Sequence, residues 1–112
     1  MTQKEDLAKL RLISELMLET HLAKLTAAAH AKQHSEDQLA GLARTSGLTV
    51  GIQPVAAQLA ALNYQRWAES RRAEINLVLA RQTAEWIDAR DAARTAFGRA
   101  EVVGKLQQRL WK

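Results

Sequence analysis

Between Ile75 and Leu110, steps of four and three residues alternate without a slip: Ile75, Leu79, Gln82, Trp86, Ala89, Ala93, Ala96, Ala100, Val103, Gln107, Leu110. Nine of those eleven positions are apolar. A period of 3.5 keeps one stripe of a helix turned toward a neighbour, so a second helix must lie along it. The middle of the stripe is all Ala, which lets the neighbouring backbone approach closely. Few folds other than a coiled coil satisfy this pattern.

The partner is expected within the chain. Thr2-Gln3-Lys4-Glu5 fits a capping box, and Asp6 places a further carboxylate where the helix dipole favours one. A first helix over 3–45 is expected to bury Leu7, Leu10, Met17, Leu18, Leu22, Leu25, Ala28 and Ala29, with His21 on the same stripe. Its apolar pattern weakens across the polar run from Lys32 to Gln38 and returns at Leu39, Leu42 and Ala43. Gly41 costs a helix roughly 1 kcal/mol without stopping it. Gly47 suits the residue past a helix end, and Pro54 suits a helix's first turn. The turn is therefore set at 46–53, with Leu48, Val50 and Ile52 tucked onto its tip, and a second helix at 54–111.

A short connection makes the helices antiparallel. The fold class is thus all-α, an antiparallel two-helix coiled-coil hairpin over 1–112 with the longer helix second. A turn centred near residue 50 predicts Leu10 opposite Ala89, Met17 opposite Gln82, Leu25 opposite Glu74 and Leu39 opposite Ala60. At 1.5 Å per residue the helices would measure about 65 and 85 Å. The final fifteen or so residues of the second helix would then lack a partner in the chain.

Composition narrows the function. The 112 residues include no Cys, one Pro and five Gly, so thiol chemistry, disulfides and thiolate metal sites are excluded. The first residues lack the pattern of a signal peptide, and no apolar run approaches a bilayer span. A cytoplasmic location is expected, peripheral at most to a membrane complex. The net charge of +4 is carried by residues 94–112, where Arg94, Arg99, Lys105, Arg109 and Lys112 face one acid, Glu101. A basic end on an otherwise neutral chain points to an acidic protein surface. Duplex nucleic acid would call for a lengthwise basic stripe instead.

No phosphate-binding Gly loop or nucleophile–base pair occurs, so no enzymatic activity is expected. His30, His34 and Asp37 have a chelating spacing, but on a polar face with no pocket, so neither metal nor cofactor is expected. The candidate partner-binding residues are Arg94, Arg99, Lys105, Arg109 and Trp111 at the basic end. To these the cluster around Tyr64 adds Trp67 and Arg71, spaced for a cation–π contact. Trp86, on the stripe, is read as packing.

The second helix, through Trp86-Ile87-Asp88-Ala89-Arg90 followed by Ala93-Arg94, resembles the FliJ/YscO family of flagellar and type III export proteins. The resemblance implies an antiparallel coiled coil like the stalk of rotary ATPases. It would sit in the pore of the hexameric export ATPase, contact the export gate and in some members escort chaperones. By that resemblance the end bearing both termini enters the ring. Two other classes fit the sequence: a self-associating hairpin forming a four-helix-bundle homodimer, and a nucleic-acid-associated adaptor using the basic tip.

Overall fold

The computed structural model describes residues 2–46 and 55–110, with the side chains of Thr45 and Ser46 left out. Two helices account for them: α1 over Gln3–Ser46 and α2 over Val55–Leu110, of 44 and 56 residues. No strand occurs among the described residues. Thr2 starts α1 as the capping pattern requires, its Oγ1 accepting a hydrogen bond from the Glu5 N–H at 3.3 Å. Glu5 and Asp6 occupy the positive end of the α1 dipole, and Arg44 and Arg109 occupy the negative ends of the two helices. The expected turn and the apolar residues placed on its tip, together with Pro54, Trp111 and Lys112, lie outside the described residues.

The chain divides into two compact units, each built from a piece of both helices: 1–29 with 85–112, and 30–84. In the second unit Leu42, Ala68 and Ile75 are buried together, with Leu39 and Tyr64 packed against them. The Ser35 hydroxyl there donates to Gln82 Oε1 across the helices. In the first unit Ala93, Ala96 and Val103 are buried, and Arg11 Nη1 donates to Gln107 Oε1 at 2.6 Å. Ser14 is buried as well, its hydroxyl satisfied by the Leu10 carbonyl at 2.8 Å. Within each unit the helices run antiparallel, and the fold class is the one expected.

The stripe on α2 holds from Ile75 to Gln107, where every position is buried or half-buried; Leu110 is exposed. It also continues backward through Ala68, Tyr64, Ala61 and Ala57. One extra spacing of four interrupts it between Ala68 and Arg72, and Arg71 and Arg72 are both half-buried there. An insertion of this kind locally unwinds a coiled coil.

The register differs from the expected one. Gln82 faces Ser35 rather than Met17, and Leu39 joins the Ile75 cluster rather than Ala60. Arg11 meets Gln107, so the neighbouring Leu10 stands about 18 residues, or about 27 Å, along α2 from Ala89. Satisfaction of buried polar groups explains the shift. A turn centred at residue 50 would bury Gln82 against Met17 and leave Gln107 facing no residue of α1. Leaving such a side chain unpaired costs about 1–3 kcal/mol each, and single polar layers are what fix coiled-coil register.

The expected overhang is not found at the basic end. Val103 and Gln107 are buried in the first unit, so residues 96–110 are not an overhang. In the second unit α1 continues only four residues past Leu42, whereas thirteen residues of α2 precede Ala68. The excess length of α2 lies on that side.

The α1 seam is corrected too. Leu10, Met17 and Leu22 are exposed, while Ser14 and Ser35 are buried and His21, Leu18, Leu25 and Ala28 half-buried. The register sets Leu18, His21 and Leu25 against Ala100, Ala96 and Ala93 in turn. Ala93 is 5% exposed. Ala93→Leu should overpack this contact and lower stability by about 1–3 kcal/mol; an unchanged thermal melt would mean that Ala93 is not seated on α1.

Candidate functional site

Exposed large side chains are the signal to follow, because no polar group at the helix contacts is left unsatisfied: among the described residues no buried side-chain N or O lacks a hydrogen bond. In the second unit Trp67 is 54% exposed, the indole standing over a shallow groove. Gln38, Gly41 and Leu42 of α1 and Trp67, Arg71 and Ile75 of α2 line it. Leu42 and Ile75 are core residues, so the groove floor is apolar and continuous with the hydrophobic core of the unit. Its rim is Gln38 and Arg71.

Each wall has a local cause. The space beside Gly41 is open, and a Cβ placed there would meet nothing within 4 Å. The Trp67 ring is braced by Tyr64, with centroids 5.7 Å apart and planes inclined at 40°, a separation at which aromatic rings are in contact. Arg71 does not complete the expected contact with Trp67. Its Nη1 pairs with Glu74 Oε2 at 3.2 Å one turn on, which turns the guanidinium along the rim. The side chain facing Trp67 is also not the polar stretch near Lys32 but the Gln38–Leu42 turn, a consequence of the register.

The basic residues at the other end do not form one surface. Arg94, Arg99, Lys105 and Arg109 are all exposed, yet only Arg99 and Arg109 share a flank of α2. Arg94 lies on the opposite flank and Lys105 on the outer face, as their positions relative to Ala93, Val103 and Gln107 require. Trp111 lies outside the described residues. The cation–π stack at this end is Arg90 over Trp86, at 5.3 Å from the ring centroid, with Trp86 half-buried in the stripe.

His30 and His34 are exposed, and Asp37 accepts a hydrogen bond from the Gln33 amide at 3.0 Å. Among the described residues no cluster of three or more His, Asp or Glu side chains is placed to hold a metal ion.

Gln38 and Gly41 were not among the candidate binding residues read from the sequence. The signal for Gly41 was an isolated Gly inside a strong helical pattern, which costs stability. Its neighbourhood is hidden because the facing residues, Trp67 and Arg71, lie 26 and 30 positions away and depend on register. No helix among the described residues is long and apolar enough to cross a membrane. Comparison with protein-family models, with curated proteins and with solved structures finds no match to this chain.

Proposed function

We propose that this chain is a non-enzymatic coiled-coil adaptor that grips a protein partner at the Trp67 groove. The observation that carries the reading is an exposed Trp, braced by Tyr64, over an apolar floor with an Arg and a Gln at the rim. Trp, Tyr and Arg supply most binding energy where proteins meet, and a polar rim around an apolar centre is the usual build of such a contact. The distribution of apolar side chains supports it. Among the described residues six hydrophobic ones are buried, three of them Ala, against seventeen large ones exposed; a two-helix protein so arranged keeps much of its apolar surface for others to cover.

The system proposed is the one that the resemblance suggests: a stalk or adaptor of a flagellar or type III protein export apparatus, engaging the export ATPase ring or the export gate. The test is capture of the export ATPase, or of the cytoplasmic part of the gate, by the full chain. Capture that falls at least tenfold on Trp67→Ala supports the reading, since truncating such an anchor costs about 2 kcal/mol or more. Failure of the full chain to retain either protein at micromolar concentration overturns the export assignment. Capture indifferent to Trp67→Ala moves the contact away from the groove.

A further inference from the structure

The way charge is sorted around the first unit sets one of its flanks apart. Arg11 meets Gln107 across the helices, and in an antiparallel pair the residues before them, Leu10 and Leu106, fall on the same side. Steps of three and four along α1 add Ile13 and Met17, and a step of four along α2 adds Val102. These five side chains are 44–58% exposed. Lys24 on α1 and Arg99 and Arg109 on α2 fall on the same flank, with Lys9 and Lys105 on the outer faces beside it. Between Lys24 and the end where α1 begins, the carboxylate on that side is Asp6 alone among the described residues. The other four carboxylates of this stretch, Glu5, Glu15, Glu19 and Glu101, stand on the opposite flank. There Arg94 and the Arg11 that pairs with Glu15 offset part of them. The five cations around the apolar row are exposed and make no ion pair among the described residues.

The relief of the flank narrows what fits it. Two hollows break the apolar row. Leu7, Leu106 and Leu110 wall one of them with Asp6 and Arg109, and Val102 and Val103 wall the other with Arg99. At Gly98, in the second hollow, an added Cβ would meet nothing within 4 Å. A two-fold copy of this chain would bring the same cations against the flank, so the face does not fit itself. A bilayer surface calls for apolar side chains that protrude in a continuous face, which the hollows interrupt. An amphipathic helix meets both conditions. Arg99 and Arg109, which mark the hollows, lie about 15 Å apart along α2. Apolar side chains two to three turns apart on a helix are separated by about 11–16 Å, so one can enter each hollow. Carboxylates beside that apolar stripe would meet the two guanidinium groups.

We infer that this flank takes an acidic amphipathic helix of a different protein, laid along α1 and α2 with its apolar stripe inward. The inference goes beyond the adaptor reading: it concerns the other unit of the chain and does not depend on the Trp67 groove.

Two labelled helical peptides of about 18 residues, the span from Asp6 to Lys24, test it by fluorescence anisotropy against the full chain. One carries Leu at positions a and d of its heptads and Glu at e and g; the other carries Lys in place of Glu. The Glu peptide should bind at least tenfold more tightly than the Lys peptide, and its affinity should fall as salt is raised. Arg99→Glu combined with Arg109→Glu should abolish or reverse that preference. Ile13→Ala combined with Val102→Ala should weaken the Glu peptide about tenfold through lost apolar contact. All four positions are exposed, so far-UV helicity should not change in either variant. Trp67→Ala should leave the affinity where it is, which keeps this site distinct from the groove. Equal binding of the two peptides, or no binding of the Glu peptide at about 1 mM, overturns the inference. A Glu peptide indifferent to both pairs of substitutions, or one lost on Trp67→Ala, overturns this flank as its site. Co-sedimentation with phosphatidylglycerol vesicles that Ile13→Ala with Val102→Ala abolishes would give the flank to a lipid surface instead. A dimer of the native chain that the same variant dissociates would give it to a second copy.

Discussion

Truncation after Thr95 is expected to destabilise the protein by about 3 kcal/mol or more. The deleted segment contains Ala96, Val103 and Gln107, three of the most buried side chains of the first unit. Burial of one Val contributes about 1.5–2 kcal/mol, and each Ala methyl about 0.8 kcal/mol. Arg11 would lose its acceptor on Gln107, and Leu7 would lose the wall formed by Leu106 and Leu110. The loss should spread to α1. A helical stretch from Gln3 to about Leu18 is marginal in water without a partner, so far-UV ellipticity should fall by more than the deleted residues carry. The melting temperature should drop by on the order of 10 °C or more. A melt unchanged within about 2 °C would mean that residues 96–110 make no supporting contact with α1, and that the excess length of α2 lies at this end after all.

What the sequence reveals here depends on which rule is applied to which helix. On α2 the alternation of four and three is carried by residue types that look like a seam, and ten of the eleven positions read from it are buried or half-buried. On α1 the same arithmetic was available. Counting in sevens from Leu7 gives Ser14, His21, Ala28, Ser35 and Leu42, and each of these is buried or half-buried. Two Ser and one His make that row look polar, whereas Leu10, Met17 and Leu22 make a neighbouring row look like core. Side-chain size pointed to the wrong row and spacing to the right one. The physical reason is close approach: where α2 presents Ala, small residues on α1 fit the seam and large ones are displaced to its edges. Register was less legible still. It rests on two polar pairs, Ser35 with Gln82 and Arg11 with Gln107, and the sequence separation of those pairs carries no local pattern. The Trp67 groove inherits that difficulty, since half of its wall comes from α1.

The remaining large effect is expected at Ile75, which is 4% exposed and is the only aliphatic side chain larger than Val, apart from Leu42, that is buried among the described residues. It packs with Leu42 and Ala68, and with Leu39 and Tyr64 at the margin. This core is one side chain deep. Two helices surround a buried group on fewer sides than a multilayered domain does, yet they also have few ways to close a hole, because moving either backbone inward disturbs the Ser35–Gln82 pair seven residues along α2. Just before Ile75 the spacing of four between Ala68 and Arg72 loosens the supercoil, so the neighbouring turns supply little compensation. Ile75→Ala removes three carbons from this position and should cost about 2–4 kcal/mol, the range for a buried aliphatic truncated to Ala. Leu77→Ala two residues on is the matched control: Leu77 is 73% exposed, and its truncation should change stability by less than about 0.5 kcal/mol. Urea unfolding of the two variants measures the difference directly. Equal midpoints would show that the Leu42–Ala68–Ile75 contact does not hold the second unit together. A loss at Ile75 should also weaken partner capture, because Ile75 and Leu42 are the floor of the Trp67 groove. Leu77→Ala should leave both quantities where they are.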